Sequence, residues 1–271
     1  MKQASSSGYP AFTSFDESLA SYSLPERFTY PFDYEPHPLS LLAAEKLQSH
    51  LQDQKVWEHN FGLSGQEGVI IGKMFGVMVV ETSQNEVGYL SAFSGKLAGG
   101  NHHDKFVPPI FDGMAIDGFL NAGMTELSSI NERIRILEEE APYTGREQVD
   151  LLKTERRAYS VALQNQIFDQ YHFLNQAGKE KGLREIFEGD SYKNPPAGAG
   201  ECAAPKLLQY AFENDMKPLA MAEFWWGLSP KSDYWKHGHF YPSCREKCAP
   251  ILAHMLSGMN VETAPQKKEI H

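Results

Sequence analysis

Two apolar, β-branched and aromatic segments, "GVIIGKMFGVMVVE" (Gly68–Glu81) and "VGYLSAFSGKL" (Val87–Leu97), flank the polar stretch "TSQNE". Strand-forming residues on either side of a turn signal predict a β-hairpin, with a further strand near Trp57. Ahead of it, Pro38 opens a pattern in which Leu39, Leu42, Ala43, Leu47 and Leu51 recur at helical spacing. After it, the loop "AGGNHHDKFVPPIFDG" carries the adjacent pair His102 and His103, which reads as solvated.

From residue 127 the character changes. "LSSINERIRILEEE" and "REQVDLLKTERRAYSVALQNQIFDQYHFLNQAGKEKGLREIF" are long, charged and helical, and "APYTG" separates them. Leu152, Tyr159, Leu163, Ile167 and Leu174 form a packing stripe, and Lys153, Arg156, Arg157, Lys179, Lys181 and Arg184 alternate with acids. The segments predict an antiparallel helical hairpin. Its charged residues read as a solvated face or as an RNA-contacting arm. A loop of Pro and Gly leads to "ECAAPKLLQYAFEND", a helix with Leu207, Leu208, Ala211 and Phe212 on its apolar side. "MKPLAMAEFWWG" is a short buried strand, and "CREKCAPILAHMLSGM" a final helix. The expected fold is therefore α/β, a mixed sheet flanked by helices. Residues 25–126 and 195–260 together form the α/β domain, and 127–190 form the inserted hairpin. Residues 1–24 are expected as a flexible leader and 261–271 as a disordered tail.

A chain of 271 residues with 41% hydrophobic content can bury a sizeable core. Its formal net charge of −10 argues against a dedicated non-specific nucleic-acid binder, although a local basic face can override it. The N-terminus lacks the apolar core of a signal peptide, and no apolar run is long enough to span a membrane. Three cysteines cannot build a disulfide framework. These readings predict a cytoplasmic protein with reduced thiols and no membrane partner. They leave the oligomeric state open.

The cysteines carry the clearest chemistry. Cys244 and Cys248 are four apart at a predicted helix start, so both sulfurs fall on one helical face. Cys202 begins another predicted helix. A helix N-terminus favours thiolate, and two helices flanking one strand can bring their starts together. Zinc takes four ligands, usually thiolate or imidazole. Cys202, Cys244 and Cys248 supply three, and His237 or His239 is the candidate fourth. Two alternatives remain: buried thiols acting as small hydrophobes, and a redox pair of Cys244 and Cys248, whose CxxxC spacing departs from the usual CxxC.

The order helix, hairpin, insertion, helix starting at Cys202, strand, helix starting in "PSCREKC" resembles the zinc nucleoside-deaminase fold. That family places H/C-x-E at one helix start and P-C-x-x-C at the next. Here Pro242 precedes Cys244 by two residues, and the cysteines have one extra residue between them. Ala204 stands where the deaminase glutamate would be, so the resemblance implies fold and metal rather than reaction. Glu201 or Glu223 could restore the missing acid.

A second resemblance covers roughly Leu24 to Met259. "LPERFTYPFDYEPHPLSLLAAEKLQ", "LQNQIFDQYHFLNQAGKEKGLREIF", "PPAGAGECAAPKLLQYAF", "MAEFWWGLSPKS" and "HGHFYPSCREKCAPIL" are similar to the N-terminal extension of a subgroup of RluA-type RNA pseudouridine synthases. The synthase domain's catalytic aspartate sits in an Arg-Leu-Asp sequence that does not occur here. No catalytic residue carries over. The resemblance implies an accessory role in uridine modification of tRNA or ribosomal RNA, with a synthase catalytic domain as a possible partner.

For structured RNA, the candidate contact is "SPKSDYWKHGHFYPSCREK", where Lys231, Lys236, Arg245 and Lys247 interleave with Trp235 and other aromatics. Cations meet phosphates and aromatic rings stack on unpaired bases. Lys206, near Cys202, is expected on the same face. The alternatives are a zinc-dependent base or nucleoside deaminase and a protein-interaction module built on the helical hairpin.

Overall fold

A computed structural model describes residues 8–115, 118–140, 144–188 and 194–264. Its centre is a five-stranded sheet in the order β1-β3-β2-β6-β7. The strands are β1 (Thr13–Ser14), β2 (Lys73–Glu81), β3 (Val87–Phe93), β6 (Lys217–Trp226) and β7 (Phe240–Tyr241). Every ladder in it is antiparallel, which corrects the expected mixed sheet. The physical reason is direction: β3 returns beside β2 through a tight turn, and β6 enters on the other side of β2 running against it. The segment around Trp57 forms no strand.

Alternation along these strands divides the core. Phe75, Val77 and Val79 of β2, Phe93 of β3 and Phe224 and Trp226 of β6 pack with Leu39, Ala43 and Leu47 of α1 (Pro38–Asp53). Met78 and Val80 of β2, Leu90 and Ala92 of β3 and Met221 of β6 face the other way. They meet α5 (Ala203–Glu213) and α6 (Arg245–Met255) through Leu207, Leu208, Cys248 and Ile251. Gly76 lies on this second face. A Cβ there would stand 2.9 Å from Cβ of Ala203 and 3.1 Å from Leu207, so the missing side chain is what lets the start of α5 rest on the sheet.

The flanking segments are tied down more than their composition predicts. Residues 8–24, expected as a flexible leader, bury Ala11 and Phe12 and add β1 to the edge of β3. Residues 1–7 lie outside the described residues. At the other end Val261 bridges to Phe28, and the Glu262 amide donates to Phe28 O. The remainder of the expected disordered tail, 265–271, lies outside the described residues.

The expected insertion is shorter than the sequence predicted. Helix α2 (Phe119–Glu140) packs on α3 (Arg146–Phe168), with Ile130, Ile134, Val149 and Leu152 buried between them. After Phe168 the helical pattern stops. A small hairpin of β4 (His172–Leu174) and β5 (Glu180–Gly182) follows, then α4 (Leu183–Glu188). Asn175 makes that turn: its side-chain oxygen accepts from the Ala177 and Lys179 amides, and Gly178 takes φ +72°. Phe173, Leu183 and Phe187 are buried in the core with α5 and α6, so this part belongs to the body of the fold. Leu174 therefore lies on a strand and not on the helical stripe.

Replacing Gly76 by valine is expected to push α5 off the sheet and cost about 1–3 kcal/mol. In urea unfolding this would read as a lower midpoint with an unchanged slope. An unchanged midpoint would show that α5 does not depend on this close approach.

Candidate functional site

Cys202 is the N-cap of α5, and Cys244 is the N-cap of α6. Cys248 lies one turn further along α6 and is buried. The neighbouring thiols of Cys202 and Cys244 act on it more strongly than any other group, which puts the three sulfurs the sequence singled out in one neighbourhood. All three cysteines are free.

The cluster has a fourth member, Glu223 of β6, buried on the same face of the sheet. The strand alternates, so Phe224 and Trp226 point to the α1 side while Glu223 points to the α5 side. Its carboxylate accepts from the Ser243 hydroxyl at 2.5 Å and from the backbone amide of Ala204. The strand around it is pinned too. The Tyr34 hydroxyl accepts from the Glu223 amide at 2.9 Å and donates to Tyr241 O at 3.1 Å.

The electrostatics follow from this geometry. Cys244 is pulled down to about 5, first by the hydrogen bond with Cys248 and then by the amides of Lys247, Glu246 and Cys248 at the helix start. Cys248 is pushed up, because it hydrogen-bonds with its two neighbours, is buried and faces the charges of Cys202 and Glu223. Glu223 is raised to about 7 by burial, against the pull of Ser243 and Ala204 and with the repulsion of Cys244 added. The centre thus concentrates sulfur and carboxylate ligands at two positive helix ends.

Among the described residues no group of three or more His, Cys, Asp and Glu side chains already stands as a metal cage. As a donor set, three cysteines and a carboxylate suit a thiolate-seeking ion such as zinc.

The two candidate histidines separate. His237 accepts the Gly227 amide through Nδ1, and its ring lies 4.4 Å from that of Trp226, which belongs to the α1 layer. It is not placed with the thiols. His239 sits opposite Trp225, where its carbonyl accepts the Trp225 amide at 2.9 Å. That register puts it on the sheet face of Glu223, and it is exposed. In the other histidine pair, His102 meets Asp112 at 2.9 Å and His103 meets Leu97 O at 2.8 Å.

The expected RNA-contacting residues also separate. Lys231, Lys236 and Arg245 are exposed and Lys247 is half-buried. Arg245 lies 5.4 Å over the Phe32 ring. Trp235 stacks on Trp225 at 5.0 Å and meets Tyr241 edge-on at 4.7 Å, while Tyr234 beside it is exposed. Lys206 must be corrected. It is 4% exposed and donates inward to Phe93 O at 2.9 Å and Gly95 O at 3.4 Å, because its position on α5 faces the sheet. Burial lowers it to about 8, and it offers no surface to phosphate.

In the sequence Glu223 stands out only as an acid able to restore the missing deaminase glutamate, and no motif marks Ser243 or Tyr34. The available signal was a glutamate inside an otherwise apolar strand, which must find partners when buried. Compared with known proteins, the chain matches no family model, no curated protein and no solved structure.

Between pH 4.5 and 7 the folded state holds a proton on Glu223 that the unfolded chain has released, so Glu223 contributes stability that is lost as pH rises through that window, while the lowered Cys244 thiol acts in the opposite sense above about 5. The Glu223 contribution is on the order of 3 kcal/mol. Glu223→Gln, compared with wild type after chelator treatment, should remove the Glu223 contribution, so that stability in urea unfolding rises more, or falls less, with pH across this window than in wild type. An identical slope in both would show that Glu223 ionises normally.

Proposed function

We propose that the chain is a non-catalytic accessory domain of an RNA pseudouridine synthase, holding one zinc ion through Cys202, Cys244 and Cys248. The convergence of three thiols and a buried carboxylate at two helix starts is the observation that supports this most. Zinc there would offset their negative charge and pin α5 to α6, coupling metal binding to folding. Glu223 and His239, which share one face of the sheet, are the candidates for a fourth ligand. The absence of an Arg-Leu-Asp sequence fits a role without synthase chemistry. RNA would be met through the exposed Lys231, Lys236, Arg245 and Tyr234. Helices α2 and α3 fit the inserted hairpin of this reading, since Asn131 meets Arg156 and Glu138 meets Lys153 across them.

A second reading, a zinc-dependent base or nucleoside deaminase, draws support from Glu223. Apart from the elements between β3 and α5, the order α1-β2-β3-α5-β6-α6 with α5 and α6 on one face of the sheet supports this reading. A buried carboxyl that exchanges its proton near pH 7 could carry one between water and a leaving amino group. It comes from the strand between the helices, while Ala204 keeps the family's usual position. Ammonia release from cytidine or adenosine by the zinc-loaded chain, lost in Glu223→Gln, would favour this reading over the first.

Protein purified without an affinity tag or added metal should contain close to one zinc per chain by elemental analysis, and Cys248→Ser should lose it and unfold at lower temperature. A metal-free wild type with the stability of the variant would refute the zinc.

RNA binding should weaken steeply with salt. The double variant Lys236→Glu/Arg245→Glu should bind RNA at least about tenfold more weakly in filter binding at low salt. Unchanged affinity would remove this face from the contact. Affinity for a synthase catalytic domain with none for RNA at any salt would favour a protein-interaction role, for which exposed Met124, Leu151 and Val161 on α2 and α3 are available.

A further inference from the structure

Lysines gather beside the start of α5, in a chain whose formal net charge is −10. There the turn after β3 faces the loop before α5, and the Gly95 amide donates to Glu201 O at 2.9 Å between them. Both stretches pass through glycine at positive φ, +64° at Gly95 and +76° at Gly198, and neither position has a side chain to fill the space. A Cβ at Gly95 would stand 3.8 Å from both Lys73 Nζ and Glu201 Oε2. One at Gly198 would stand 3.4 Å from Lys247 Nζ and 4.0 Å from the same Glu201 oxygen. The start of β2 and the first turn of α6 thus each bring an ammonium towards one carboxylate.

The charges there do not balance. Lys206 adds a third ammonium, bound to Phe93 O and Gly95 O and held inside the protein. Lys96 borders the same place and is exposed. Against these four stands Glu201, whose Oε1 accepts from the Tyr171 hydroxyl at 3.5 Å. Asn101 lines the place too, but donates to Asp112, whose other oxygen meets His102. Among the described residues the amines of Lys73, Lys96 and Lys247 make no ion pair or hydrogen bond. Burial already pulls Lys73 below the ordinary lysine range, with Glu201 opposing. Crowded ammoniums of this kind are offset best by an anion with more than one charge, which a phosphate monoester carries and a carboxylate does not.

Beside the cluster, Ile110, Phe111, Leu120 and Ile167 wall an apolar cavity of about 100 Å³, which Gly95, Lys96, Glu201 and Lys206 also line. We propose that cluster and cavity together bind a small phosphomonoester, its dianion held by Lys73, Lys96 and Lys247 and its apolar body in the cavity. The proposal rests on neither zinc nor RNA binding at Lys236 and Arg245.

Phenyl phosphate is the probe. In calorimetric titration of the full chain at low salt it is expected to bind saturably at one site, with phenol and inorganic phosphate each at least about tenfold weaker. Lys73→Gln and Lys247→Gln, each checked for native circular dichroism, should weaken it by a similar factor. Lys46→Gln, on α1 across the sheet, should not. A free metabolite and the 5′ end of an RNA both offer such a phosphate. Displacement of the probe by a 5′-phosphorylated RNA oligonucleotide and not by its 5′-hydroxyl form would assign the RNA end, and displacement by neither would assign the metabolite. Displacement by both would overturn the monoester. No saturation at about 10 mM phenyl phosphate would overturn the proposal as a whole. So would equal binding of phenol, or wild-type affinity in either cluster variant. Inorganic phosphate binding as tightly as the probe would overturn the part given to the cavity.

Discussion

The ladder between β2 and β6 is the constraint on which the remaining structure depends. It joins residues far apart in sequence, Lys73 with Trp226 and Phe75 with Phe224, and so closes the chain around everything between them. Because β2 is covered on both faces, each of its side chains has to choose a layer. Phe75, Val77 and Val79 go to α1, and Met78 and Val80 go to α5 and α6. Gly76 breaks the second layer at one point, and the start of α5 settles into the space it leaves.

That closeness has chemical consequences. The start of α5 carries Cys202, and the start of α6 carries Cys244, both on the face toward which Glu223 points. A thiolate and a buried carboxylate so near each other would be costly without compensation. Helix-start amides, the Ser243 hydroxyl and the Cys248 thiol supply part of it. In the proposed reading a bound zinc ion supplies the rest.

The residues around Cys202 serve two centres. Cys202 meets Cys248, whereas Glu201 just before it meets Tyr171 and Lys206 one turn later reaches the backbone of Phe93. One short stretch of chain thus contributes sulfur to one side and an acid and a base to the other. This is possible because Cys202 is still extended as the helix begins, and successive side chains of extended backbone diverge.

Much of this was legible in the sequence. The hairpin of β2 and β3, the helix after Pro38, the strand around Glu223 and the helices after Cys202 and Cys244 all follow from local periodicity and capping. Local chemistry also marked the three cysteines as a group. The misreadings concern long-range geometry. "HFLNQAGKEKG" continues a helical pattern by composition, but Asn175 and Gly178 make a turn whose strands are held by burial of Phe173 against α5 and α6. Sequence alone determined which segments were strands and helices, and that thiols, cations and aromatics crowd the last third of the chain. Only the tertiary structure decided their facing. It turned Lys206 inward, set His237 on the far layer beside Trp226, and placed Glu223 among the thiols. A residue's side of a sheet depends on register with a distant partner strand, and that register is fixed by packing rather than by neighbours in sequence.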